Sequence, residues 1–388
     1  MSEYKYKYAH LLTVDSPLYN KAIQKLIFEN QNCAEHIFIY LGEKSFSVVE
    51  KLNYGKTVLE KSSCTVELIR KALEIAEIVL IHNNGFSNSE IAKLTDAEAG
   101  RIVWSVWGPD LYKNDSLKKR RSLFYKSARF IYHLIRYKHI ETFKNLQNQI
   151  ALAESKINKF HAITAGFEGD IAEIKKRFPN VPVLQALYPA ESSLDNIILW
   201  QEKVLSDNNQ HKVRILLGHC AFSHLKHKKW LKNLYPVRDK VELYIPLNYG
   251  NKKYADKIEK LAKKLYGNAA IVYRETMTPE KYFVQILAKV DFAIFDFEIQ
   301  SAYGNALMLL YQGKKVYYPQ NSAMYIGLSN AGVAVSKIED LDIKNIDNLP
   351  CLDYKEIQKN IDFATKRMNL KTHAEQWNSV FAFLENSK

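Results

Sequence analysis

The feature that most constrains this chain is an alternation of short apolar runs, rich in β-branched and aromatic residues, with segments of helical periodicity, and it runs through the sequence twice. In the first half the runs are His10–Val14, Glu35–Leu41, Ile78–His82, Ile102–Trp107, Ala162–Ala165 and Val181–Ala186, with helix candidates at Pro17–Glu29, Val66–Ile75, Asn88–Leu94 and Ile171–Phe178. Strands buried on both faces read as unbroken apolar runs, and parallel strands need crossover helices, so the pattern predicts a parallel sheet covered on both sides. A polar stretch, Asp207–Gln210, suits a linker. Beyond it the alternation restarts, with strands expected at Val213–Leu217, Val241–Pro246, Ala269–Tyr273, Asp291–Phe297 and Lys315–Tyr318, and helices near His224–Leu234, Lys253–Leu265, Pro279–Lys289 and Ala302–Tyr311. At 388 residues the chain exceeds one ordinary core, so the expected fold class is α/β, with two doubly wound domains over residues 1–208 and 209–371. Open α/β sheets bind ligands outside the carboxyl ends of their strands, and two in tandem would present those ends across a central cleft.

The charge balance, 55 Lys and Arg against 42 Asp and Glu, gives +13 and points to acidic partners: nucleic acid, phosphorylated ligands or anionic lipid headgroups. Much of it lies in Lys118, Lys119, Arg120, Arg121, Lys126, Arg129, Arg136 and Lys138, interleaved with Leu123, Phe124, Phe130, Ile131, Leu134 and Ile135. The segment reads as a basic amphipathic helix, suited to a membrane surface or to packing on its own domain with a solvated basic edge. Cys33, Cys64, Cys220 and Cys351 are scattered, which argues against a zinc ribbon, a redox pair or a disulfide framework. The polar N-terminus lacks the apolar core of a signal peptide, and no run approaches 18 apolar residues, so a cytoplasmic protein without a membrane span is expected.

Four segments could carry chemistry. In Asp291–Tyr318 a strand, a polar loop and a helix follow in order, and Gly304 and Asn305 fall in the first helical turn, where unpaired N–H groups favour a diphosphate. The same glycine would serve helix packing in any βαβ unit. Arg214–His227 is a strand opening into a loop with Gly218, His219, Ser223, His224 and His227, whose imidazoles could donate to phosphate in either protonation state. Apart from Cys220, the carboxylates or cysteines that would complete a metal site there are missing, so no metal is expected and the histidines could equally lie on a helix surface. No cofactor is expected. Trp104–Tyr112 ends a strand with a turn carrying Trp107, Gly108, Pro109 and Asp110, a sugar-facing surface or a helix-capping turn. Asp15 follows the first strand, where it could act as general base on an acceptor hydroxyl or cap the helix that begins at Pro17. The absence of GxxxxGK[ST], HExxH, GxSxG and a GxGxxG after the first strand lowers the case for a P-loop NTPase, a zinc protease, a serine hydrolase or a nicotinamide dehydrogenase. No nucleic-acid-binding module accompanies the basic charge.

His10, Asp15, Pro17 and Asn20; Trp107, Gly108, Asp110, Leu111 and Tyr112; Gly218 and His227; Pro246 and Tyr249; Glu275; and Gln300, Gly304 and Gly313 stand in an order that resembles one bacterial family. It is that of the TDP-N-acetylfucosamine:lipid II N-acetylfucosaminyltransferases, 4-α-L-fucosyltransferase-type glycosyltransferases of the GT-B fold. His219 and Cys220 stand where that family usually carries asparagine and serine, and Leu309 where many GT-B enzymes carry a ribose-binding glutamate, which leaves Glu275 as the candidate ribose contact. The resemblance implies two Rossmann-like domains facing a central cleft, with residues 372–388 forming a helix that returns to the first domain. It implies an acceptor-binding first domain with His10, Asn20, Trp107 and Tyr112, and a donor-binding second domain with Gly218, His219, His227, Tyr249, Glu275, Gln300, Gly304 and Asn305.

The expected activity is metal-independent transfer of a fucose-like deoxy or amino sugar from a nucleoside diphosphate sugar, TDP favoured, to a lipid-diphosphate-linked or other glycan acceptor in cell-surface polysaccharide synthesis. Asp15, or else Asp110, would be the base if the reaction inverts. Lys118, Lys119, Arg120 and Arg121 would hold the enzyme on the anionic inner face of the bacterial cytoplasmic membrane, with no nucleic-acid partner. The competing readings are a non-catalytic nucleotide-sugar or polyanion binder and a GT-B-like nucleotide-sugar epimerase.

Overall fold

A computed structural model describes residues 4–52, 54–113, 140–189, 193–204 and 212–387. The chain divides into two compact units, Met1–Ala190 with His373–Lys388, and Glu191–Thr372.

The first unit holds a seven-stranded sheet of β1 (Tyr6–Leu12), β2 (His36–Tyr40), β3 (Lys56–Leu59), β4 (Ala76–His82), β5 (Ile102–Ser105), β6 (Ala162–Ala165) and β7 (Val183–Gln185). Every pairing is parallel and the order is β3-β2-β1-β4-β5-β6-β7. The strand order reverses between β1 and β4, and such a reversal opens a crevice at the carboxyl ends of the two strands. Both faces are covered. Ala9 and Leu11 of β1 join a core with Ile39, Ile69, Val79 and Trp104, while Tyr8 and Leu12 join the opposite one with Phe38, Leu80 and Ile27. The last helix, Leu370–Asn386, supplies Trp377, Val380, Phe381 and Leu384 to that second face.

The second unit repeats the plan with β8 (Val213–Leu217), β9 (Val241–Pro246), β10 (Ala270–Tyr273), β11 (Phe292–Ile294), β12 (Lys315–Tyr318) and β13 (Ser336–Lys337), again all parallel, in the order β10-β9-β8-β11-β12-β13. Its reversal lies between β8 and β11. Two Rossmann-like doubly wound domains are therefore present, as the double alternation predicts.

The differences from expectation lie at the margins. β1 spans Tyr6–Leu12 rather than His10–Val14: Lys7, paired with Glu35 and Glu385, interrupts the apolar run, although Tyr8 and Ala9 beyond it are buried. The edge strands β3 and β13 escape a sequence reading, being short and half-exposed and so lacking an apolar run. Helix Leu194–Gln201 belongs to the second unit.

Candidate active site

In the first unit the loops leaving β1, β4 and β5 meet at the carboxyl edge of the sheet. Asp15, three residues beyond β1, is exposed, and its carboxylate docks on the first turn of the Glu43–Glu50 helix. Oδ1 accepts from the Ser45 amide at 2.7 Å and the Ser45 hydroxyl at 2.8 Å, and Oδ2 accepts a long bond from the Lys44 amide at 3.4 Å. Partial burial would raise the carboxyl pKa, but these hydrogen bonds outweigh it and hold Asp15 below its ordinary value, so it is ionised at neutral pH. Asn20 does not face solvent. It is buried, donating to the Val14 carbonyl at 2.7 Å and to Ser45 Oγ at 3.1 Å, and so braces the Asp15 loop rather than offering an acceptor contact.

Asp110 is a different kind of carboxylate. It is 5% exposed, with Oδ2 accepting from Trp104 Nε1 at 2.7 Å and the Asn84 amide at 2.9 Å, and Oδ1 from the Trp107 amide at 3.0 Å. These bonds tie the loop after β4 to the loop after β5, and Lys113 tightens the tie by donating to the Asn84 and Phe86 carbonyls. With both oxygens occupied inside the protein, Asp110 clamps loops and is not placed as a second candidate base. The loop it holds includes Asn83, in the left-handed region at φ 57°, whose carbonyl accepts from the Thr13 hydroxyl.

Two acceptor candidates also turn inward. His10 is fully buried mid-strand, Nδ1 lying 2.9 Å from His82 Nε2 and Nε2 lying 2.9 Å from His36 Nδ1, so both ring nitrogens are used inside the sheet. The Tyr112 hydroxyl donates to Asp170 Oδ1 at 2.8 Å beneath the same loop. Trp107 keeps a place near the edge: its ring lies 5.3 Å from Tyr19, which is 39% exposed, and 4.7 Å from Tyr188. Tyr19, on the helix that begins two residues after Asp15, adds an aromatic surface that sequence reading missed, because only the fold brings it beside Trp107.

In the second unit the loops after β8 and β11 meet at the reversal. Gly218 sits at φ 69°, and a Cβ there would lie 2.5 Å from His227 Nε2. His227 is fully buried beneath that glycine, with Nδ1 3.2 Å from the Tyr254 hydroxyl, so it shapes the loop from below rather than facing a ligand. His219 Nε2 lies 3.1 Å from Ser301 Oγ, joining the two loops. Burial lowers the His219 pKa to about 3, so the ring is neutral at physiological pH and carries one N–H, not the cationic alternative that sequence leaves open.

Ser301 leads into the helix Tyr303–Tyr311, preceded by Ala302 in the left-handed region at φ 55° and lacking a side-chain cap. Its leading amides have no i−4 partner, Gly304 is exposed, and a Cβ built on Gly304 meets nothing within 4 Å. Asn305 donates from Nδ2 to the Tyr282 hydroxyl at 3.1 Å. Gln300 lies in the loop just before, and Glu275 is exposed just beyond β10, on the same edge of the sheet. Tyr249, 54% exposed, lies in the loop after β9 with its ring 6.3 Å from His219. That loop is zipped to the one after β8 by a bridge between Ala221 and Gly250.

Asp296, 2% exposed just past β11, accepts from Lys226 at 2.7 Å, Lys229 at 2.8 Å and Trp230 Nε1 at 3.0 Å. Burial alone would raise its pKa, yet the two ammonium groups bring it below the ordinary value. The signal was a lone carboxylate between Phe295 and Phe297 in an apolar run. Lys118, Lys119, Arg120 and Arg121 lie outside the described residues. Among the described residues no group of three or more His, Cys, Asp or Glu side chains is arranged to hold a metal, and no helix is long and apolar enough to cross a membrane.

Comparison with known proteins agrees with this architecture. A glycosyltransferase from Rickettsia africae superposes with a TM-score of 0.59 at 13% identity, over 98% of this chain and 99% of that one. Alr3699/HepE from Anabaena, solved with UDP, gives 0.61 at 9% identity over 97% and 99%. The N-terminal domain of Candida albicans trehalose-6-phosphate phosphatase gives 0.62 at 12% identity over 100% and 98%. At such identities the likeness shows the fold, GT-B. The family described as 4-alpha-L-fucosyltransferase, glycosyl transferase group 56, matches residues 6–348. With nearly the whole length matched, the chain belongs to the 4-alpha-L-fucosyltransferase family, group 56, and is a glycosyltransferase.

Proposed function

We propose that the enzyme transfers a fucose-like deoxy or amino sugar from a nucleoside diphosphate sugar, with TDP as the favoured carrier, to a lipid-diphosphate-linked glycan. The observation that carries the donor half is the uncapped Tyr303–Tyr311 helix, with Gly304 opening onto space at the β8/β11 reversal. Amides aimed at a leaving diphosphate stabilise the charge that develops as the glycosidic C–O bond breaks, with no need of a metal. Anabaena Alr3699/HepE, which shares the fold, is solved with UDP, in keeping with a nucleotide donor. His219, held by Ser301, supports the same loop, with Tyr249, Glu275, Gln300 and Asn305 as further donor contacts.

Asp15 is the base of an inverting transfer. The acceptor hydroxyl gives its proton to the carboxylate as its oxygen bonds to the anomeric carbon, and the electron pair of the breaking C–O bond leaves with the diphosphate. Trp107 and Tyr19 offer ring faces to the acceptor sugar. The basic segment around Lys118–Arg121 attaches the enzyme peripherally to the anionic inner face of the cytoplasmic membrane.

Thermal stabilisation by TDP, UDP, GDP and ADP tests the donor site, because a ligand that binds only the native state raises the melting temperature. One nucleotide should stabilise the wild type and lose that effect in Gly304→Trp, which fills the open space without touching the core. No shift with any of the four at millimolar concentration would remove the proposal. Sedimentation of the protein with anionic vesicles, reduced when Lys118, Lys119, Arg120 and Arg121 are changed to glutamine, tests the membrane contact.

A further inference from the structure

We propose that Gly42, Ser45 and Asn20 form a cradle that positions the Asp15 carboxylate, leaving Oδ2 as the atom that receives the acceptor proton. The inference rests on the base role of Asp15 given above and specifies how the protein builds it.

Three features of the geometry point the same way. Ser45 is fully buried and spends both its amide and its hydroxyl on one oxygen, Oδ1, at 2.7 and 2.8 Å. The direction of the hydroxyl is dictated from behind, because Asn20 Nδ2 donates to Ser45 Oγ at 3.1 Å and the serine proton is thereby turned towards the carboxylate. Oδ2 receives only the long 3.4 Å approach of the Lys44 amide, so among the described residues its acceptor capacity is largely unspent on the exposed side of the residue.

Gly42 supplies the third feature. Its backbone, at φ −131° and ψ 130°, is open to any residue, so conformation does not call for glycine there. Space does. A Cβ on residue 42 would fall 2.2 Å from Asp15 Cβ and Cγ and 2.4 Å from Oδ1, so the carboxylate can seat itself only against a missing side chain. A carboxylate that merely capped the Glu43–Glu50 helix would explain the Oδ1 bonds, and the two roles separate by experiment.

The acidity of Asp15 is read directly by carbon-13 titration of the carboxyl, assigned by its loss in Asp15→Asn. Turnover is read as nucleoside diphosphate release from the nucleotide sugar chosen by the thermal screen, across pH, with melting curves for each variant. Ser45→Ala should move both the carboxyl titration and the acid limb of kcat/KM up by about one pH unit, and Ser45→Thr, which keeps the hydroxyl, should restore them. Gly42→Ala should lower kcat by about 100-fold with the donor KM unchanged, the expected penalty for a reacting group displaced by about 1 Å.

If Asp15→Asn keeps activity within a few-fold, the base role falls and the cradle with it. If Asp15→Asn loses activity by about 100-fold or more while Ser45→Ala leaves the acid limb in place, the base role stands and the cradle is overturned. Should Gly42→Ala fail to fold, the serine pair decides alone.

Discussion

Nδ1 of His10 lies 2.9 Å from Nε2 of His82 at the centre of the first sheet, with both rings fully buried. His36 extends the contact on the other side of His10, also at 2.9 Å, so three adjacent strands, β2, β1 and β4, are joined by a chain of imidazoles. Phe381 of the last helix stands edge-on to His36 and His10, and Trp377 lies against His82. Nδ1 of His82 has no partner among the described residues. A bare acceptor is cheaper to bury than an N–H, which favours donation from His82 to His10 and on to His36.

Burial lowers all three histidines, His36 to about 4 and His82 to about 3, with the neighbouring rings adding to the effect at His10 and Lys7 at His36. Unfolded, each takes up a proton near pH 6.5, so below that the unfolded state binds more protons and stability falls with pH until the folded values are reached. Melting temperatures should drop between pH 7 and 5. His36→Phe, which keeps a ring against Tyr8 and Phe381, should flatten the fall of unfolding free energy with falling pH, read by urea denaturation, by up to about 1.4 kcal/mol per pH unit. Equal slopes in the two proteins would show that His36 is protonated when folded.

Asp170 behaves in the opposite sense. Burial raises its carboxyl to about 7 despite the hydrogen bond from Tyr112, so the folded state keeps a proton that the unfolded chain loses near pH 4. Its contribution is fully present below that pH and is lost as pH rises towards 7. Asp170→Asn should therefore gain stability relative to wild type on going from pH 5 to pH 8, as read by urea denaturation at the two pH values. A constant difference would refute the raised value.

Asp110→Ala tests the clamp. It strands the buried Asn84 amide and Trp104 indole N–H, each costing about 1–3 kcal/mol when left unmade, together with the part-buried Trp107 amide. A loss of at least about 3 kcal/mol by chemical denaturation is expected. Unchanged stability together with abolished turnover would return Asp110 to the list of bases.

Gly218→Ala places a methyl group 2.5 Å from His227 Nε2 at a positive φ. Destabilisation by about 2 kcal/mol or more is expected, from backbone strain and overpacking together. In a His227→Ala background the added cost should shrink to the strain alone, and a double-mutant cycle reads the difference. Additivity would mean that the two residues do not meet.

The fold was legible because buried parallel strands leave a mark: β2, β4, β9 and β12 are mainly apolar runs, broken only by the terminal histidines His36 and His82 and by Glu77, Glu242 and Lys315 at or next to a strand start, and their spacing leaves room for crossover helices. Sequence also placed Asp15 and Gly218 just after strands and Gly304 in the first turn of the helix that follows one, because local order alone puts such residues on the carboxyl edge. What each side chain does there was decided by neighbours distant in sequence. His10 is a buried link and not a surface contact because parallel register sets β2 and β4 beside it, bringing histidines 26 and 72 residues away within hydrogen-bonding distance. Asp15 and Asp110 look alike as loop carboxylates, yet one rests on a helix turn 30 residues on with an oxygen to spare, while the other closes over the Asn84 amide and the Trp104 indole. Periodicity records which way a residue faces in its own element; which groups it meets is set by how the elements pack, and that arrangement exists only in the folded chain.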